Sequence, residues 1–70
     1  MERLHILELK DVETEEDARK IEEILKSMEG VFHAEVDLDS EVVEVRYDDS
    51  RVTKNNMKDK LAAHGYTLKI

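Results

Sequence analysis

Cysteine is absent from this 70-residue chain, so no disulfide, thiolate metal site or cysteine nucleophile can form. Proline is absent as well, and glycine occurs only at Gly30 and Gly65, which leaves no linker of low complexity and no glycine-rich phosphate cradle. Aromatic residues are one Phe and two Tyr, too few to stack the bases of an RNA strand. Positive charge is in deficit: 11 Lys and Arg face 18 Asp and Glu, for a net charge of −7. A phosphate backbone is bound through Lys and Arg, so nucleic acid is excluded as a partner, and an anionic membrane surface is disfavoured on the same ground. A basic protein partner or a hard cation remains compatible with this charge. No apolar run approaches the ~20 residues of a membrane span, and no signal peptide is visible. The expectation is a chain that does not insert into a membrane and that works, by default, in the cytoplasm.

What is present is periodic. Arg3 to Lys10 reads as a strand, with Leu7 and Leu9 on one face and Glu8 and Lys10 on the other. A loop, Asp11-Val12-Glu13, follows. Thr14 is the N-cap of a first helix, with Asp17 as the acidic member of a capping box and Glu15, Glu16 and Asp17 at the positive end of the helix dipole. Ala18, Ile21, Ile24, Leu25 and Met28 form its apolar stripe, and Gly30 is expected to cap its C-terminus. Val31 to Leu38 alternates again, with Ala34, Val36 and Leu38 inward and His33, Glu35 and Asp37 outward. Asp39-Ser40 is read as a tight turn into a third strand carrying Val43, Val45 and Tyr47. A second helix runs from about Thr53 to His64, with Met57 and Leu61 as its stripe. Gly65 ends it in the left-handed conformation, and Tyr66, Leu68 and Ile70 alternate in a last strand.

This order predicts one α+β domain over residues 1–70. It is a ferredoxin-like βαββαβ sandwich, with two helices on one face of a four-stranded antiparallel sheet and the other face open. Its first and third strands are central. Leu4, Ile6 and Val42 then fall out of phase with the buried set and form a small apolar patch on the open face, beside Glu44 and Arg46 and near Phe32. Catalysis finds no support. The serines lack a histidine partner in pattern, and there is neither a nucleophile elbow nor an arginine-bearing phosphate loop.

Three segments resemble the heavy-metal-associated domains, a family of copper metallochaperones, mercury-binding proteins and N-terminal modules of P-type ATPases. Leu7 to Ala18 resembles the family's first strand and its Gly-Met-Thr-Cys-x-x-Cys-Ala loop. Ile21 to Leu38, with Met28-Glu29-Gly30-Val31, resembles its first helix and second strand. Val45-Arg46-Tyr47-Asp48 and His64-Gly65-Tyr66 resemble its Val-x-Tyr-Asp and Gly-Tyr segments. The resemblance places the family's glycine on Asp11, its methionine on Val12, and its two metal cysteines on Thr14 and Asp17. Copper(I) and mercury sites require soft thiolates, so Val12, Thr14 and Asp17 constitute a degenerate metal loop.

Two functional readings stay open. One is a non-catalytic interaction module related to metal handling, acting through Leu4, Ile6 and Val42, its helices or its acidic first loop. It would be a monomer or weak dimer with a protein partner and no required cofactor. The other is a divalent metal ion held by Glu13, Asp17 and His64, where imidazole and carboxylate suit zinc or copper(II). A structural or engineered variant with no activity of its own gives the same sequence pattern. His5 and His33 lie on different strands without a second histidine nearby, and His33 is expected to be a solvated surface residue.

Overall fold

The computed structural model describes residues 1–69; Ile70, the last member of the predicted alternation, lies outside the described residues. The elements run β1 (Glu2–Lys10), α1 (Glu15–Lys26), β2 (Val31–Asp37), β3 (Val42–Asp48), α2 (Lys54–Ala63) and β4 (Thr67–Lys69). The strands form one antiparallel sheet in the order β2-β3-β1-β4, so β1 and β3 are central and the ferredoxin-like α+β plan holds.

Each periodicity is realised as burial. Leu7 and Leu9 of β1, Ala34 of β2, Val43, Val45 and Tyr47 of β3 and Leu68 of β4 point into a shared core. They meet Ile21 and Leu25 of α1 and Met57 and Leu61 of α2 there. Most of these side chains are effectively dry, and burying each of the Val, Leu, Ile and Met side chains contributes roughly 1.5–3 kcal/mol. Ile24, Met28, Val36, Leu38 and Tyr66 close the rim of that core. Val52 also enters the core, from the loop before α2; a single apolar residue in a loop carries no period by which to announce itself.

Several local expectations are corrected. Ser27, not Gly30, is the C-cap of α1, and its N–H reaches the carbonyl of Glu23 at 3.0 Å. Gly30 sits beyond a further turn at φ +97, where a Cβ would lie 2.9 Å from Arg51 Cβ, so close approach of backbone to the β3–α2 loop fixes this glycine. The β2–β3 connection is wider than a two-residue turn. It runs from Leu38 to Glu41, with Glu41 at φ +52, and the Asp37 carboxylate accepts the N–H of Asp39 at 3.0 Å. A register shift lies between Val31 and His33.

The helix starts differ from each other. At α2 the capping box is complete: Asn56 N–H donates to Thr53 Oγ1 at 3.1 Å and Thr53 N–H to Asn56 Oδ1 at 3.0 Å. At α1 only half of the box forms. Asp17 N–H donates to Thr14 Oγ1 at 3.1 Å, while the Asp17 carboxylate turns elsewhere. One more helix side chain acts on the sheet: Glu22 Oε2 of α1 accepts the N–H of Val36, on edge strand β2, at 2.8 Å.

Candidate functional site

The loop between β1 and α1 is built from inside out. Asp11 leaves the strand in the left-handed region at φ +60, a conformation that Asp tolerates better than most residues. That turn drops Val12 into the core, where it is 1% exposed. Glu13 lies exposed outside it. Thr14 has extended backbone angles and caps the helix through its hydroxyl. Its carbonyl accepts the N–H of Ala18 at 3.0 Å. Glu15, Glu16 and Asp17 occupy the first turn, at the positive end of the helix dipole.

Asp17 is held from the far end of the chain. The Tyr66 hydroxyl donates to Asp17 Oδ1 at 3.3 Å. Burial pushes the Tyr66 phenol up from its ordinary range, and the Asp17 charge adds to that. Tyr66 is itself placed by its N–H, which bonds to the carbonyl of Leu61 at 2.9 Å as the chain turns out of α2 through Gly65. His64 is the exposed C-cap of α2. With Tyr66 it lines a shallow depression of about 320 Å³, which Lys20, Glu23 and Ile24 complete.

The donors here do not suit a soft ion. Thr14 offers a hydroxyl already used as a cap acceptor, and Asp17 a hard carboxylate engaged by Tyr66. Copper(I) and mercury(II) bind thiolate, and neither residue resembles one. The trio Glu13, Asp17 and His64 is not brought together as a set of mutually close ligand atoms. Among the described residues one such set exists, and it lies elsewhere: His33, Glu35 and Glu44 have ligand atoms within 4.8 Å of one another. His33 is half-buried rather than fully solvated. The signal the sequence carries for this set is His33 and Glu35 two apart on one strand; Glu44 joins them through the β2–β3 register.

The open face carries the expected apolar residues. Leu4 is 56% and Ile6 67% exposed, Phe32 at the bulge is 55% exposed, and Val42 is half-buried. Across from Leu4 lies Arg46, which pairs with Glu2 at 3.5 Å, and across from Ile6 lies Glu44. The His5 ring packs edge-on to Tyr47, whose hydroxyl lies 3.0 Å from His5 Nδ1. A groove of about 550 Å³ runs between α1 and the edge of β2. Its carboxylates are Glu15, Glu22, Glu35, Asp37 and Asp39, against the single cation Arg19. Among the described residues no helix is long and apolar enough to cross a membrane.

A βαββαβ sheet whose first helix opens at a loop facing the Gly-Tyr corner is a small α+β domain of the ferredoxin-like class. The chain belongs to the heavy-metal-associated domain family, whose model matches residues 6–67. It is 38% identical over 64 residues to the copper chaperone CopZ of Staphylococcus epidermidis, across 91% of this chain and 94% of that one. A solved CopZ metallochaperone superposes with a TM-score of 0.90 at 31% identity, covering 96% of this chain and all (100%) of the other. The N-terminal domain of a potential copper-translocating P-type ATPase from Bacillus subtilis, solved in its Cu(I)-loaded state, gives 0.93 at 27% identity, covering 100% of this chain and 88% of that one.

Proposed function

We propose that this chain is a non-catalytic interaction module of a metal-handling system, one whose thiolate loop has become a helix cap. The observation that carries this reading is the use of Thr14 and Asp17. At the two positions that the resemblance gives to metal cysteines, one residue caps α1 and the other receives the Tyr66 hydroxyl. The surrounding architecture is intact while the soft donors are gone. A relative named as a copper chaperone and a structural neighbour described as part of a copper-translocating ATPase support placing the chain in a copper system. The partner in this reading is a soluble domain of such a transporter, met in the cytoplasm through the face that exposes Leu4 and Ile6.

Two measurements test it. In a copper(I) competition against a chromophoric chelator, the chain leaves copper with the chelator, whereas the Thr14→Cys, Asp17→Cys double variant removes it. Copper(I) uptake by the unaltered chain would sink the degenerate-loop reading. In an NMR titration with the N-terminal domain of a copper-translocating ATPase, the expected amide shifts centre on β1 and β3 and disappear in Leu4→Asp and Ile6→Asp. Shifts that survive both substitutions would remove the sheet face from the reading.

A further inference from the structure

We propose a second metal site, unrelated to the old thiolate loop, in which His33, Glu35 and Glu44 bind a divalent cation of the zinc or copper(II) class on the open face of the sheet. His33 and Glu35 are two apart on β2 and so project from the same side, away from the helices. Glu44 stands directly across from Glu35 in the antiparallel register, and Arg46 directly across from His33. One ligand atom from each of His33, Glu35 and Glu44 lies within 4.8 Å of the other two. Around a tetrahedral ion with ligands at ~2.0–2.1 Å, such atoms stand roughly 3.3 Å apart.

A separate observation asks for a cation there. Like charges directly opposed across a strand pair are destabilising, and Glu35 and Glu44 are so opposed. Arg46, the cation nearest in register, is engaged by Glu2. None of the ion pairs among the described residues uses Glu35 or Glu44. A bound divalent ion turns that repulsion into shared attraction. The donor set names the class: one imidazole with two carboxylates suits zinc or copper(II), and the nitrogen ligand disfavours calcium, which takes six to eight oxygens. Three protein ligands leave a coordination position open. Beside it a depression of about 190 Å³, lined by Ile6, Glu35, Asp37, Val42 and Glu44, leaves room for water or for a partner's ligand. The ligands stand on paired strands rather than on a loop, and His33 and Glu44 are half-buried.

The test is a zinc titration of the tag-free chain, followed by amide NMR shifts and by calorimetry. The expected result is saturation at one ion per chain, with the largest shifts at His33, Glu35 and Glu44. His33→Ala and Glu44→Gln each weaken binding by about tenfold or more, calcium gives no saturable shift in the same range, and Asp59→Asn on α2 binds as the parent does. Circular dichroism confirms that each variant is folded, as surface changes on a strand face permit. Binding by His33→Ala within about twofold of the parent overturns the proposal, and so do saturating shifts centred on Asp11 to Asp17 or equal affinity for calcium. Copper(I) competition reads the β1–α1 loop rather than this strand pair, so failure of either experiment leaves the other intact.

Discussion

The Tyr66 hydroxyl reaches Asp17 across 49 residues of chain and joins the α2–β4 corner to the first turn of α1. Both tyrosines are pushed above the ordinary phenol range, Tyr47 chiefly by burial and Tyr66 by burial together with Asp17. A group whose folded pKa is raised holds its proton more tightly in the folded state. Its contribution to stability is therefore complete below the ordinary phenol pKa of about 10 and is lost as pH rises through the folded value. An ultraviolet titration should show less than half of the tyrosine ionised at about pH 10. Asp17→Asn should bring Tyr66 back toward that value, while Tyr47 stays where it is.

Thr14→Ala removes the acceptor of the Asp17 N–H and should cost about 1 kcal/mol in a denaturant melt, whereas Thr14→Ser retains most of it. If Thr14 were a metal ligand rather than a cap, the loss would appear only with metal present.

Val12 and Glu13 are neighbours with opposite environments. Val12→Ala strips buried methyls from the core and should destabilise by about 2 kcal/mol. Glu13→Ala, on the exposed side, should stay within about 0.5 kcal/mol. Thermal and urea unfolding of the pair measure this contrast, and an equal effect would contradict the placement of the loop.

Asp11 holds a backbone angle that glycine adopts freely. Asp11→Gly should leave stability unchanged or raise it by up to about 1 kcal/mol, while the β-branched Asp11→Val should lower it by about 1–2 kcal/mol. Unfolding midpoints of the two variants decide the matter. The resemblance assigns the family's glycine to this same position, so the substitution also examines that alignment.

Most of the architecture was readable because burial in this chain follows simple periods. Leu7 and Leu9 alternate, Ile21 and Leu25 step by four, and Thr14 and Thr53 carry hydroxyls where a helix must begin. Features that depend on contact between distant segments were not readable. The pattern around Gly30 suggests a helix end, whereas its role arises from close approach to Arg51 and Val52, about twenty residues on. The spacing of Thr14 and Asp17 suggests a reciprocal cap, but in the folded chain the Asp17 carboxylate receives the Tyr66 hydroxyl instead. Glu44 faces Glu35 because the two strands pair in one unbroken register from Asp37–Val42 to His33–Arg46, symmetric about Asp39-Ser40; how near the three side chains come to one another is set only by the folded pair. The apolar patch at Leu4 and Ile6 was legible, because alternation assigns both faces of a strand at once.

The bond from Val36 to Glu22 bears on how such molecules coexist when crowded together. A strand at the margin of a sheet offers bare amides on which another chain can build, and that is a route to fibres. Strand β2 lies at one margin, and β4, at the other, spans three of the described residues. By filling one of the amides of β2 from its own helix, the molecule removes part of the template that a second copy would need. Replacing Glu22 with alanine would leave the fold standing but should shorten the time before concentrated solutions turn cloudy. That makes Glu22 a guard against self-association as much as a contributor to stability.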